Sequence, residues 1–469
     1  MKLRKKEHFI FCFVTILLSL FSCSKKVSVK PIEQDCALLK QYLEEASVDV
    51  SLAVEAGLDL NKVIDELKKY YLYYAIENIK EYHEESDEKG IYRNAFADSI
   101  SQMFVSDIPF TNTHNNVKIS NYSWNPIKTK FAFPSEIFFE FRDGYYFVVK
   151  SNCDSVKVGM RYTGDYKNMI KVIDCNMQIK YQYVWFYEYD ITNCEINVDN
   201  EQVTIPISYQ PFYSDRCEDI SYEIMDDTLF IHIKTFFLHG EKSTKEFNKI
   251  VEEVAGEINK YSNIIIDLRD NPGGNTNLLY PIIYSMVLGC DYYKKQESCN
   301  VLDKVIYAGS KYLNTKVIRT QIYLLGEMVN LFNQHIGEKY IEIEYSDNYP
   351  FYNFKPVFEG KIFVLMNTGT ISAAEHFIAI LNYFFQNKVI LIGEKTYGCL
   401  DFGNVMDYRL RDSGIVISLS SVDNRSTNIL KDNKKWHGDT QGFYPDYWCF
   451  INDEDVIRKL CLSLSTANN

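Results

Sequence analysis

The chain has 469 residues, 46% of them hydrophobic, 24% charged and 15% aromatic, with a formal charge of −13. That size and mix describe a globular protein of two or three domains with at least one sizeable core. The acidic balance gives no electrostatic reason to bind nucleic acid.

In chain order, "MKLRKKEHFIFCFVTILLSLFSC" comes first, a basic start followed by a short apolar stretch. It is too short and too N-terminal for a spanning helix, so it reads as an export signal. Residues 24–35 form a polar linker. From Cys36 to about Met103, apolar residues recur three or four apart, as in "LNKVIDELKKYYLYYAIENIKEYHEE", which predicts helices. A turn-rich segment, "SDIPFTNTHNNVKISNYSWNP", follows. Between about 130 and 215 the pattern changes to alternation with aromatic and β-branched runs. There "EIFFEFRDGYYFVVKS" predicts a hairpin turning at Asp143-Gly144.

From about 220, strands and helices alternate: "DTLFIHIKTFF", "STKEFNKIVEEVAGEINKY", "NIIIDLR" and "NLLYPIIYSMVLG". After a loop-rich insertion at about 290–356 the alternation resumes with "GKIFVLMN", "AAEHFIAILNYFFQ" and "KVILIGE". Such alternation argues for an α/β layer with ligands at the strand ends.

The export signal ends in Leu20-Phe21-Ser22-Cys23, which resembles a bacterial lipoprotein lipobox. The resemblance implies cleavage before Cys23, lipidation of its thiol and a membrane-anchored protein of the cell envelope, periplasmic or surface-exposed. The bland alternative is an ordinary signal peptide or anchor with a chance cysteine. Loss of residues 1–22 removes four basic residues and one acidic residue, taking the formal charge from −13 to −16. The other cysteines are scattered, with no CxxC pair and no His/Cys cluster at zinc spacing, so no metal site is expected.

Two stretches could carry chemistry. In "IIIDLRDNPGGN" a buried strand ends in a Pro-Gly-Gly turn that opens a helix. Its glycines let the backbone approach a ligand with N–H groups forward, and the helix end adds positive potential. The same turn is also simply a turn. In "NTGTISAAEHF", Ser372 stands where a helix begins, beside the small residue Ala373. A nucleophile and an ordinary helix cap both fit there.

Together, "DLRDNPGG", "TISAAE" and "IGEKTYG" resemble the tail-specific (C-terminal-processing) and tricorn-type serine peptidases over roughly residues 220–446. The resemblance implies a crotonase-like (ββα spiral) α/β core, a peptide or unfolded-protein substrate and no cofactor. It puts Ser372 at the nucleophile position. The oxyanion hole would come from a backbone N–H of Gly273 or Gly274 together with that of Ala373. Glu375 matches an acidic position after the nucleophile and reads as a helix N-terminal acid that shapes the site.

The Ser/Lys branch of the family carries its lysine directly after the Thr-aromatic-Gly turn. Here that turn is Thr396-Tyr397-Gly398 and the next residue is Cys399, while Lys395 lies on the other side. The tricorn-type branch uses an N-terminal histidine instead, and His114 in "FTNTHNNV" stands in the right order for it. Imidazole titrates near neutrality and can take a serine proton. Thr113 would be the accompanying hydroxyl residue, and Asp439, three before Gly442 in "GFYPD", the acid of the triad. His437 is a reserve base, and His232 reads as a core residue of its strand.

The expected organisation is a signal peptide at 1–22, a linker and helical domain at 23–125, a small β-rich domain at 126–215, at most a degenerate PDZ-like module since Met160 stands where the resemblance expects an aspartate, and the peptidase core at 216–469. Two rivals remain: a non-catalytic binding lipoprotein on the same fold, and a serine esterase or acyl-transfer enzyme. Neither the oligomeric state nor the cleavage preference follows from the sequence.

Overall fold

The computed structural model describes residues 32–80, 88–109, 112–119, 122–124, 130–134, 137–173, 177–187, 192–208, 217–290, 304–308, 340–344 and 355–466. The chain divides into two units, one of residues 1–126, 306–341 and 404–422, the other of 127–305, 342–403 and 423–469. Each is taken by itself.

The first unit opens with helices Glu33–Ala46, Val48–Glu55, Leu60–Lys80 and Glu88–Ser106. The helical period seen in the sequence becomes a buried stripe, Leu60, Val63, Ile64, Leu67 and Tyr71. Tyr71 meets Phe96 of the last helix edge to face at 5.8 Å. Strand Asn116–Ile119 then pairs antiparallel with Val416–Asp423, Asn116 opposite Ser418, and with Tyr122–Trp124. Asp35, in the first turn of the first helix, accepts from the backbone N–H groups of Asp412 and Ser413 at 2.9 and 2.8 Å. The 404–422 segment is thus bound into the N-terminal unit.

The second unit is built on a ten-stranded mixed sheet. At its centre, Thr228–Ile233, Asn263–Asp267, Lys361–Met366, Val389–Gly393 and Tyr447–Cys449 run parallel, each bonded to the next. Parallel strands need both faces covered, which is why Asn263–Asp267, Lys361–Met366 and Val389–Gly393 read as largely Ile/Val/Leu/Phe runs. Ile264, Ile266, Ile362 and Val364 face a core that includes Phe247, Val251 and Val254 of helix Gly240–Glu257 and Phe377, Ile378 and Leu381 of helix Ala373–Phe385. Ile265, Phe363 and Leu365 face the other way, onto Ile457, Leu460, Cys461 and Leu464 of helix Glu454–Thr466. Three loops leave the carboxyl ends of adjacent parallel strands: 268–275, 367–372 and 394–401. That edge is where α/β sheets place their ligands.

The hairpin expected at Asp143-Gly144 is present. Phe138–Arg142 pairs with Tyr145–Lys150, and both turn residues have positive φ, 52° and 83°. This β-rich region is not a separate unit, because Met169–Ile173 pairs with Tyr447–Cys449 and carries the sheet onward. The division also departs from a contiguous 216–469 domain. Segment 404–422 follows the core motifs along the chain yet joins the N-terminal unit, because local pattern does not say which sheet edge a strand will join. Among the described residues no helix is long and apolar enough to cross a membrane. Cys23 lies outside the described residues.

Candidate active site

Ser372 is half-buried at the mouth of helix Ala373–Phe385, with φ 54° and ψ −110°. An N-cap residue ordinarily sits in the β region, so capping alone does not call for this conformation. Two turns brace it. Ile371 N–H donates to Asn271 O at 2.9 Å, and the Thr370 hydroxyl donates to Leu268 O at 2.8 Å. Asn367 and Asp270 bond reciprocally, each contact 2.9 Å. The serine turn and the glycine turn are therefore one laced structure.

Gly273 has φ +92°, and a Cβ there would lie 2.8 Å from Ile371 O and 3.1 Å from Ser372 Cβ. Gly274 has φ +128°, and its Cβ would lie 2.3 Å from the Phe236 carbonyl. Only glycine fits either place. The structure also separates the two as donors. Gly273 N–H is taken by Asn271 Oδ1 at 2.9 Å, so of the two glycines Gly273 already has its N–H engaged within the turn.

Glu375, fully buried one turn into the helix, collects four donors. They are Ser372 N–H at 2.9 Å, the Thr396 hydroxyl at 2.5 Å, Gly398 N–H at 2.7 Å and Cys399 N–H at 2.8 Å. Burial pushes its carboxyl up to about 7, against the downward pull of those hydrogen bonds. Glu375 thus ties the serine to the Thr396–Cys399 turn. Cys399, at the place of the family lysine, is buried.

That turn continues to Asp439, whose Oδ1 accepts from Leu400 N–H at 2.8 Å and Asp401 N–H at 2.9 Å. Asp401 returns the contact, accepting from Asp439 N–H at 3.2 Å and from Trp436 Nε1 at 2.7 Å. Ser372, Glu375 and Asp439 therefore stand on one hydrogen-bonded framework. Lys395 is buried, with Nζ donating to the carbonyls of Thr396, Thr440 and Gln441 at 3.2, 3.0 and 3.3 Å. Those carbonyls hold Nζ at the Thr440–Gln441 turn.

Beneath the glycine turn, Arg269 grips Asp267 in a fork, Nε to Oδ1 at 2.9 Å and Nη2 to Oδ2 at 2.7 Å. Asp267 is fully buried, which alone would raise its pKa. The hydrogen bonds of Arg269 and His232, with the charge of the guanidinium, hold it well below the usual carboxylate range. His232 is in the core as expected, its Nδ1 3.3 Å from Asp267 Oδ2.

His114 and Thr113 belong to the other unit. His114 is half-buried on a tight loop, and its N–H donates to Asn112 Oδ1 at 3.1 Å. The loop is anchored by the buried Asp49, whose Oδ2 accepts from Asn115 Nδ2 at 2.9 Å and whose Oδ1 meets the Ser47 hydroxyl. Thr113 is buried. Of the remaining histidines, His376 bonds Thr276 Oγ1 at 3.1 Å and is pushed down to about 4 by burial. His437 is exposed and stacks on Tyr444 at 4.2 Å, burial lowering its pKa.

Sequence reasoning missed the anchoring roles of Lys395, Thr396, Asp401 and Asn271. The motif "GEKTYG" marked the right turn, but which carbonyls a lysine reaches is a tertiary fact.

Residues 227–447 match the model of Peptidase family S41. No curated protein sequence matches the chain. Similar solved structures include mature CPAF, with 14% identity over 92% of this chain and 94% of that one and a TM-score of 0.41. The photosystem II D1 C-terminal processing protease is 10% identical over 93% and 98%, with a TM-score of 0.37. The tricorn protease is 14% identical over 86% of this chain and 36% of that one, with a TM-score of 0.30. At such TM-scores these likenesses place no residue. The family match covers just under half of the chain and marks residues 227–447 as a serine peptidase region of family S41.

Proposed function

We propose that the protein is an exported, lipid-anchored endopeptidase with a crotonase-like core, in which Ser372 is the nucleophile. The observation that carries this is the conformation of Ser372, φ 54° and ψ −110°, braced between the glycine turn and a helix N-terminus. The Ser372 hydroxyl attacks the substrate carbonyl while His114 takes its proton. The oxyanion settles on the N–H groups of Gly274 and Ala373, each donor contributing about 3 kcal/mol. Collapse breaks the C–N bond, the amine leaves with the proton from His114, and water repeats the sequence on the acyl-enzyme. Asp439, its Oδ1 held by two backbone N–H groups, is the proposed acid of the triad.

Fluorophosphonate labelling of residues 24–469 tests this assignment. Labelling of the unmodified protein, lost in Ser372→Ala and in His114→Ala, is the expected result. Loss in Ser372→Ala alone would keep the nucleophile and discard His114. A folded, unmodified protein that does not label would favour the non-catalytic binding lipoprotein. Turnover of small esters without peptide cleavage would favour an esterase.

A further inference from the structure

We infer that Lys395 is a positioning residue for Asp439, an inference that rests on the triad proposed above. Lys395 is only 2% exposed. Burying an ammonium is costly unless its N–H groups are matched. Here backbone carbonyls match them, and two of the three belong to Thr440 and Gln441, the residues directly after Asp439.

Thr440 has φ +69°, an outlier for a β-branched residue, which persists only where its surroundings enforce it. The enforcement is visible. Thr440 N–H donates to Gly398 O at 2.8 Å, and Thr440 O accepts from Lys395. Gly398, with φ +86°, makes room, since a Cβ there would lie 2.6 Å from Thr440 N. Phe443 N–H closes the loop on Thr396 Oγ1 at 2.8 Å. Without the cation, Thr440 can relax toward ordinary φ. That rotation lifts the Asp439 carboxylate from Leu400 N–H and Asp401 N–H, the two contacts that aim it. Lys395 therefore acts through Asp439.

The test is a double-mutant cycle of Lys395→Met and Asp439→Asn, read in fluorophosphonate labelling rate and in kcat and KM for a peptide substrate. Lys395→Met should lower kcat on the order of 100-fold, the scale of a small misplacement of a catalytic group, with KM little changed. In the Asp439→Asn background it should cost nothing further. Losing a neighbouring carboxylate lowers an imidazole pKa. Both single variants should therefore move the acidic limb of kcat/KM to lower pH.

Losses that multiply in the double variant, or an acidic limb that Lys395→Met leaves in place, would overturn the inference. Should Lys395→Met lose its near-ultraviolet circular dichroism, Lys395→Gln, which keeps two donors, carries the same cycle and the same criteria. If folded, unmodified protein fails to label, the triad falls and this inference with it. Labelling with a multiplicative cycle removes only the role of Lys395.

Discussion

At the scale of single residues, two titratable groups near Ser372 set opposite pH dependences. Glu375 has its folded pKa raised to about 7 from 4.5. The folded state then holds the proton more tightly than the unfolded one, so this contribution to stability falls as pH rises between those values. His376 is the reverse, its pKa lowered to about 4 from 6.5. The unfolded state takes up the proton first, and stability is lost as pH falls through that window. From about pH 4.5 to 6.5 the two slopes oppose, each at most about 1.4 kcal/mol per pH unit. Asp107, pushed up to about 6 by burial, adds to the Glu375 slope, so the urea midpoint of the unmodified protein should decline gently with rising pH there. His376→Gln, which keeps a partner for Thr276, should make that decline steeper by removing the opposing slope. A variant with the parent's slope would contradict the His376 half of this account. Ser372 was legible in the sequence as nucleophile or cap. The proposal that it is a nucleophile draws on its torsions together with the glycine pressed against it.

At the scale of elements, strand Asn263–Asp267 and its glycine turn show how the sheet delivers the site. The strand was readable from its Ile run and the turn from Pro-Gly-Gly. The fork between Asp267 and Arg269 was not, because two residues apart along a strand end can point anywhere until the sheet fixes them. Both side chains are fully buried, and removing one partner of such a pair leaves an uncompensated charge. Arg269→Met should destabilise the second unit by about 3–5 kcal/mol, seen as a lower urea midpoint. Loss of under about 1 kcal/mol would mean that the fork contributes little beyond what packing supplies. The N-terminal unit follows the same logic with a different acid. Asp49 holds the loop carrying His114 through Asn115, and only the fold brings residue 49 to residue 115.

At the scale of the molecule, the lipobox-like stretch Leu20-Phe21-Ser22-Cys23 makes a separable prediction under the proposal of a lipid anchor. Cells expressing the full chain should incorporate radiolabelled palmitate into it and hold it in the membrane fraction. Cys23→Ser should lose the label and release the protein. Label retained in that variant would place any acyl chain elsewhere. The N-terminal unit collects the helices and a later segment, 404–422. The sequence offered no sign of this, since those strands follow the core motifs without a linker.

What the sequence determined by itself was whatever depends on neighbours along the chain. This includes helix and strand periods, the Asp143-Gly144 hairpin, the glycine turn, the serine at a helix mouth and the motif set that marks family S41. Each reflects local sterics or a repeat of apolar side chains, and both are written in order. Only the tertiary structure decided which groups share a hydrogen bond across long loops. Lys395 went to the carbonyls beside Asp439, Glu375 to a turn more than twenty residues away, and the Thr370 hydroxyl to Leu268 O. A buried polar group must find a partner wherever the fold supplies one, and sequence separation carries no information about where that is.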